Sequence, residues 1–156
     1  ALPEGYLFRR EQGSLYLGPS APSEPPFPET PLAWPGTTEV NGWRFHLRLF
    51  PCPENWRERL PQGRWRVWLD AERIAGRLSL RSRRPGDRFQ PLGFIGSKSL
   101  QDFFVDRKVP RSRRDGVPLV VDGGGILWVV GYAIAHRARL REGTQQVLEM
   151  EAVPPS

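Results

Sequence analysis

The alternation of apolar and polar positions is clearest from Trp43 to Leu49. Trp43, Phe45, Leu47 and Leu49 fall on one side of an extended chain, and Arg44, His46 and Arg48 fall on the other. Successive side chains of a strand point to opposite faces, so this is a half-buried strand. Arg64 to Leu69 repeats the pattern with Trp65, Val67 and Leu69 inward, and Asp70 is placed to cap a single helical turn reaching Ile74. In Arg77 to Ser82, Leu78 and Leu80 turn inward while Arg77, Ser79 and Arg81 share the outer face. Two unbroken apolar runs, Val117 to Val121 and Ile126 to Val130, flank Asp122-Gly123-Gly124-Gly125 and predict a hairpin, and Val147 to Val153 predicts a last strand. Near the start, Tyr6 to Arg10 and Ser14 to Leu17 predict a hairpin over residues 6–17. Residues 18–31 are too rich in proline to form a ladder and are expected as an extended connector or loop.

The period changes at Leu100. Leu100, Phe103 and Phe104 follow the i, i+3, i+4 spacing of a short amphipathic helix over 98–106, with Ser97 or Ser99 as its cap and Asp102 as the capping-box partner of Ser99. That spacing assigns both phenylalanines to the core. Arg84-Pro85-Gly86-Asp87 predicts a tight turn, and Pro110 is placed to open a second helical turn. The expected fold is α+β, mostly antiparallel β, with one or two short helices. Its 17 prolines and 16 glycines argue against a helical bundle. At 156 residues one domain is expected, made of the 6–17 hairpin, the 18–31 connector, a strand-rich part over 32–76 and a motif-rich part over 77–156. The start at Ala1, without methionine, suggests a piece of a longer protein.

Charge sharpens the picture. The chain carries a net +6, with a pI near 10.4. Between residues 77 and 114 stand eleven basic side chains and three acidic ones, so this quarter alone carries +8. Such clustering points to a polyanionic partner, and nucleic acid fits better than an acidic small molecule. The candidate nucleic-acid-binding residues are Arg81, Arg83, Arg84, Arg88, Lys98, Lys108, Arg111, Arg113 and Arg114. If the stretches around the turn and after Pro110 converge, they form a phosphate-tracking face. Lys98 in Gly96-Ser97-Lys98-Ser99 is expected at a helix start, where free N–H groups favour an anion. Ion pairing with Asp87, Asp102, Asp106 or Asp115 is expected to occupy at least a third of these cations, and Asp87 is expected to fix the turn.

Other chemistry is poorly supported. One cysteine and two histidines, Cys52, His46 and His136, cannot complete a zinc site, and no serine or cysteine has a local His and Asp partner. No catalytic or metal-binding residue is assigned. Gly123-Gly124-Gly125 precedes a strand and lacks the lysine of a phosphate loop. A lone cysteine excludes an internal disulfide and fits a reducing, cytoplasmic setting, and no apolar run is long enough to span a bilayer.

Five runs then carry a family resemblance: LSLRSRRPGDRFQPLG ending at Gly93, GSKSLQDFF over 96–104, KVPR over 108–111, RDGVPLV over 114–120 and ILWVVG over 126–131. Their order and spacing resemble the C-terminal, tRNA-recognition domain of tRNA(Ile)-lysidine synthetase, strongly across 77–131 and loosely over 1–76. The resemblance implies an accessory tRNA-binding role in an enzyme that uses ATP to attach lysine to the wobble cytidine of the isoleucine tRNA with a CAU anticodon. It also implies a sandwich-like α+β fold resembling a domain of the phenylalanyl-tRNA synthetase β subunit. ATP and magnesium would belong to a catalytic N-terminal domain marked by a Ser-Gly-Gly-x-Asp-Ser loop. No Ser-Gly-Gly occurs here, so no cofactor is expected in this chain. The implied partners are that tRNA and the catalytic domain, with no membrane. The alternative is a structural or dimerisation module that packs on the catalytic domain without touching RNA.

Overall fold

The computed structural model describes residues 23–156. The expected 6–17 hairpin and residues 18–22 of the connector lie outside the described residues. In chain order the elements begin with β1 (Thr30–Pro31), β2 (Gly36–Val40), β3 (Trp43–Pro51), α1 (Trp56–Arg59), β4 (Arg66–Asp70) and β5 (Ser79–Arg81). They continue with β6 (Arg88–Phe89), β7 (Lys98–Ser99), α2 (Leu100–Asp106) and α3 (Arg111–Arg114). The last are β8 (Leu119–Asp122), β9 (Gly125–Val129), β10 (Ala133–Ile134) and β11 (Gln146–Val153). Short 3₁₀ turns cover Ala71–Arg73 and His136–Ala138.

Two antiparallel sheets form the body. One runs β2-β3-β11-β4, the other β1-β5-β8-β9-β10, and β6 pairs with β7 in a separate ribbon. The last strand, β11, is central to its sheet, pairing β3 from Gln146↔Pro51 to Val153↔Arg44 and β4 on its other side. Its inward Leu148, Met150 and Ala152 pack in one cluster with Phe45, Leu47 and Leu69 and with Leu80, Val120 and Trp128 of the second sheet. The opposite face of that second sheet is covered too. Leu119, Val121, Ile126 and Val129 cluster with Leu100, Phe103, Phe104 and Val109 from α2 and the segment after it. The β8–β9 hairpin is therefore a middle layer, which is why its apolar runs do not alternate.

Local chemistry sets the element ends. Ser99 Oγ accepts from Asp102 N (3.0 Å), so Ser99, and not Ser97, caps α2. The helix starts at Leu100, two residues later than expected, because Lys98 and Ser99 pair with Phe89 and Arg88 in the ribbon. It ends in a Schellman arrangement: Lys108 N donates to Val105 O (3.0 Å) and Val109 N to Phe104 O (2.9 Å). Lys108 holds the left-handed conformation (φ 59°) that this ending requires. Asp70 accepts from Glu72 N (3.0 Å) and caps the turn expected there.

Three departures are informative. The proline-rich connector, expected to form no ladder, ends in β1, where Thr30 and Pro31 pair with Leu80 and Ser79 at the edge of the second sheet, a position that tolerates a proline. Leu49, expected inward, is 39% exposed, while its neighbour Phe50 packs edge-to-face on Trp68 (5.3 Å). This end of the sheet is covered from outside, by a small cluster of Trp68, Leu140 and Val147 joined by Phe50, Cys52 and Trp56. Trp56 belongs to α1, a helix that the sequence pattern does not announce, so the described residues hold three short helices where one or two were expected.

The outer face of β11 carries charge inward. Glu149 is buried, accepting from Arg48 Nε (2.8 Å) and Trp68 Nε1 (3.1 Å), and Arg66 pairs with Glu151 (3.0 Å). Burial pushes the Glu149 carboxyl up, but the bonds from Arg48 and Trp68 and the charges of Arg48 and Arg66 outweigh it, and the carboxyl titrates below its ordinary value. A carboxyl depressed by folding stabilises fully above its ordinary value, and that contribution is lost as pH falls through the depressed one. Glu149→Gln is therefore expected to be less stable than wild type at neutral pH by about 1–3 kcal/mol, with the gap closing below about pH 4. Urea unfolding across pH checks this, and parallel curves for the two proteins would count against it.

Candidate nucleic-acid interface

The turn at residues 84–87 organises the basic stretches. Asp87 N donates to Arg84 O (3.2 Å), and Asp87 Oδ2 accepts from Arg84 N (2.7 Å). Gly86 at the third turn position has φ 85°, which an L side chain adopts only with strain. Beyond the turn, Asp87 O accepts from Leu100 N (2.9 Å), and Arg88 reaches Ser97 Oγ (3.2 Å). Before it, Ser82 Oγ donates to Asp115 O (2.6 Å). Residues 81–88, 97–100 and 112–115 are thus hydrogen-bonded neighbours, and the convergence that a phosphate-tracking face needs is present.

The nine candidates do not share one condition. Arg81 forms a two-point pair with Asp87 (3.0 Å for each bond), with both side chains nearly buried. It lies on the outer face of β5 as expected, but it is held within the fold. Arg114 is buried, with Nε donating to Val109 O (2.9 Å) and its guanidinium over Phe104. Burial, then the charges of Arg83 and Arg111, pull its pKa down. Arg83 pairs with Asp115 (2.8 Å), Arg84 with Glu29 (2.8 Å) and Arg113, less closely, with Glu24 (3.5 Å). Lys98 stands on β7, not in the helix; it bonds Asp106 and lies over the Phe94 ring (5.1 Å). At the start of α2, Leu100 N donates to Asp87 O and Asp102 N to Ser99 Oγ, and Lys98 lies before the helix and not at its first turn as expected.

Three candidates remain exposed with no carboxylate partner among the described residues: Arg88, Lys108 and Arg111. Of the exposed arginines outside the candidate set with no carboxylate partner among the described residues, two lie over aromatic rings. Arg107 lies over Phe103 (5.1 Å) and Tyr132 (5.9 Å), and Arg64 lies over Trp65 (4.7 Å) and Tyr132 (5.3 Å). The signal for Arg64 was its place beside Trp65 at a strand start; nothing in the sequence brings it to Tyr132. Phe103 and Phe104 are fully buried, as their spacing requires.

No three His, Cys, Asp or Glu side chains group as a metal site among the described residues, and no described helix is long and apolar enough to cross a membrane. Burial, then the charge of Asp70, raises the pKa of the half-buried Cys52 thiol, which disfavours the nucleophilic thiolate.

The family model of the TilS substrate C-terminal domain matches residues 78–150, from β5 almost to the end of β11. The chain carries a TilS substrate C-terminal domain. Among curated relatives, the tRNA(Ile)-lysidine synthase of Symbiobacterium thermophilum is 39% identical over 96% of this chain and 32% of its own length. That of Dehalococcoides mccartyi is 34% identical over the same shares. That of Caldanaerobacter subterraneus is 42% identical over 58% of this chain and 19% of its own length. The chain spans about a third of the length of the first of these relatives. A solved structure described as the TILS C-terminal domain superposes with a TM-score of 0.67 at 24% identity, covering 83% of this chain and 98% of that one. It shares this fold of antiparallel sheets with few short helices. The match extends beyond the 77–131 motifs into β11, which pairs with β3 on one side and β4 on the other.

The two classes of arginine should respond differently to mutation. Arg81→Ala leaves Asp87 nearly buried without its partner and is expected to cost about 3–5 kcal/mol of stability. Arg88→Ala, at an exposed side chain, is expected to stay within about 0.5 kcal/mol of wild type. Urea unfolding of both variants checks this; equal stabilities would remove Arg81 from the scaffold.

Proposed function

We propose that the chain is the accessory tRNA-binding domain of a tRNA(Ile)-lysidine synthase. The observation that carries it is the trio Arg88, Lys108 and Arg111, exposed and free of carboxylates among the described residues. Surface cations are ordinarily interspersed with acids, and a polyanion repays their absence by releasing its counterions. Lys108 adds a second argument. A glycine would relieve its left-handed backbone, yet a cation stands there, and such strain clusters where side chains have work to do. The relatives' shared name, tRNA(Ile)-lysidine synthase, supports an isoleucine tRNA as the substrate class. ATP and magnesium chemistry would fall to a catalytic domain outside this chain, which would be a partner in the same protein, and the setting would be the cytoplasm.

One observation favours a second reading. Leu92, Phe94 and Ile95 are exposed (49%, 49% and 102%) on a loop tied down by Leu92 N to Ile134 O (3.0 Å) and Gly93 N to His136 Nδ1 (3.2 Å). A rigid apolar tip suits packing on the catalytic domain or on a second copy.

In filter or gel-shift titrations the chain is expected to bind tRNA without ATP, with affinity falling steeply as salt rises. The triple variant Arg88→Ala, Lys108→Ala, Arg111→Ala should bind at least about tenfold more weakly and flatten the salt slope by about 0.7–0.9 for each phosphate it no longer neutralises. Its unfolding should be unchanged. Undiminished tRNA binding by this variant would sink the RNA reading of the trio. A shift in oligomeric state on Ile95→Ser, with RNA binding absent, would favour the packing module.

A further inference from the structure

Away from the apolar tip, a cleft of about 480 Å³ opens between the start of the described chain, the start of β3 and the C-terminal prolines. Its walls are aromatic. Trp43 stands edge-on to Trp65 (ring centroids 5.7 Å apart) and stacks on Phe45 (5.8 Å), and Tyr132 lines the cleft beside them. Gly131 holds this arrangement open. Its φ is 88°, and a Cβ there would come within 3.0 Å of the Trp65 ring. Arg64 is clamped over Trp65 and Tyr132 with Nε donating to Gly131 O (3.1 Å). Neither of its terminal nitrogens has a hydrogen-bond partner among the described residues. Arg113 lines the cleft too, loosely tied to Glu24 at 3.5 Å.

Rings alone would accept any flat or proline-rich apolar group. The charge decides. Arg64 and Arg113 line the cleft, and Arg107 lies over its Tyr132, against the single carboxylate of Glu24. A proline-rich peptide leaves these guanidinium groups without a partner. A nucleotide uses both features, its base stacking on the rings and its phosphate meeting an oriented guanidinium. The volume is that of a small-molecule site. We propose that this cleft receives an unpaired nucleotide of the bound RNA, the base lodged among Trp43, Trp65 and Tyr132 and the phosphate held by Arg64 and Arg113. The inference rests on the RNA-binding reading above, and it assigns to single-stranded RNA a place distinct from the backbone-gripping trio.

The test compares two RNA hairpins, one blunt and one with a short single-stranded 3′ overhang carrying 2-aminopurine. The overhang should tighten binding by about tenfold and its fluorescence should be quenched on binding. Tyr132→Leu should abolish both effects while leaving affinity for the blunt hairpin and its salt dependence intact. Arg64→Gln, at an exposed side chain, should remove most of the overhang's advantage without touching the fold. Equal affinity for the two hairpins, with salt-dependent binding preserved, would overturn the cleft assignment and leave the RNA reading standing. Failure of both hairpins to bind at low salt would overturn the RNA reading itself. A proline-rich peptide that binds through Tyr132, with no overhang preference, would give the cleft to a protein partner and also overturn the proposal.

Discussion

Burial of the β8–β9 hairpin on both faces is the constraint from which the rest follows. Leu119, Val120, Leu127 and Val129 are wholly inaccessible. Each such side chain contributes about 1.5–3 kcal/mol when removed from water, so the hairpin needs a cover on each side. The β3–β11–β4 sheet is one cover and α2 is the other. With only seven residues, α2 must present its bulk in one turn, and the adjacent Phe103 and Phe104 do so. A three-layer body with an apolar middle leaves charge to its outer faces and edges, and many of its basic residues gather at the turn at 84–87, the α2–α3 connection and α3.

The edge then sorts its cations by how dry their surroundings are. Arg81 and Arg114 are close to buried, and each is matched by fixed acceptors: a carboxylate for one, a backbone carbonyl and an aromatic face for the other. Without such partners their desolvation would be prohibitive. Arg114 also feels Arg83 and Arg111, and this like-charge crowding, added to its burial, weakens its hold on the proton. A guanidinium keeps its charge in a folded protein all the same. The fold therefore gathers Arg83, Arg111, Arg113 and Arg114 around α3 against Asp115 and Glu24, and a phosphate docked there would lower the repulsion among them.

What the sequence disclosed and what it hid divide along a physical line. Period-2 and period-3.6 patterns report burial directly, so β3, β4, β5, the β8–β9 hairpin and α2 could all be read from the chain. The turn at Arg84-Pro85-Gly86-Asp87 and the Asp70 cap were readable because their backbone geometry demands those residue types. Pairing across long sequence separations left no such trace. Nothing local shows that β11 would be central, that Lys98 would meet Asp106 instead of Asp102, or that Glu29 and Glu24 would return to Arg84 and Arg113. The candidate set was therefore right about where charge gathers and uninformative about which cations are free. The cleft was invisible for the same reason: Trp43, Trp65 and Tyr132 lie in three separate stretches of the chain.

The ion pairs at the edge are not all equivalent as obstacles to RNA. Arg84–Glu29 and Arg113–Glu24 join side chains that are about half exposed, and such pairs contribute between nothing and about 1 kcal/mol in water. Replacing the carboxylate by a phosphate oxygen gives up little and gains a similar charge-assisted bond. Arg81–Asp87 cannot exchange in this way, because releasing Arg81 strands a nearly buried carboxylate that also holds the 84–87 turn. The edge thus contains cations free at the outset, cations that a docked backbone can recruit from weak pairs, and cations locked into the scaffold. Affinity would arise from the first two, and their placement is fixed by the third.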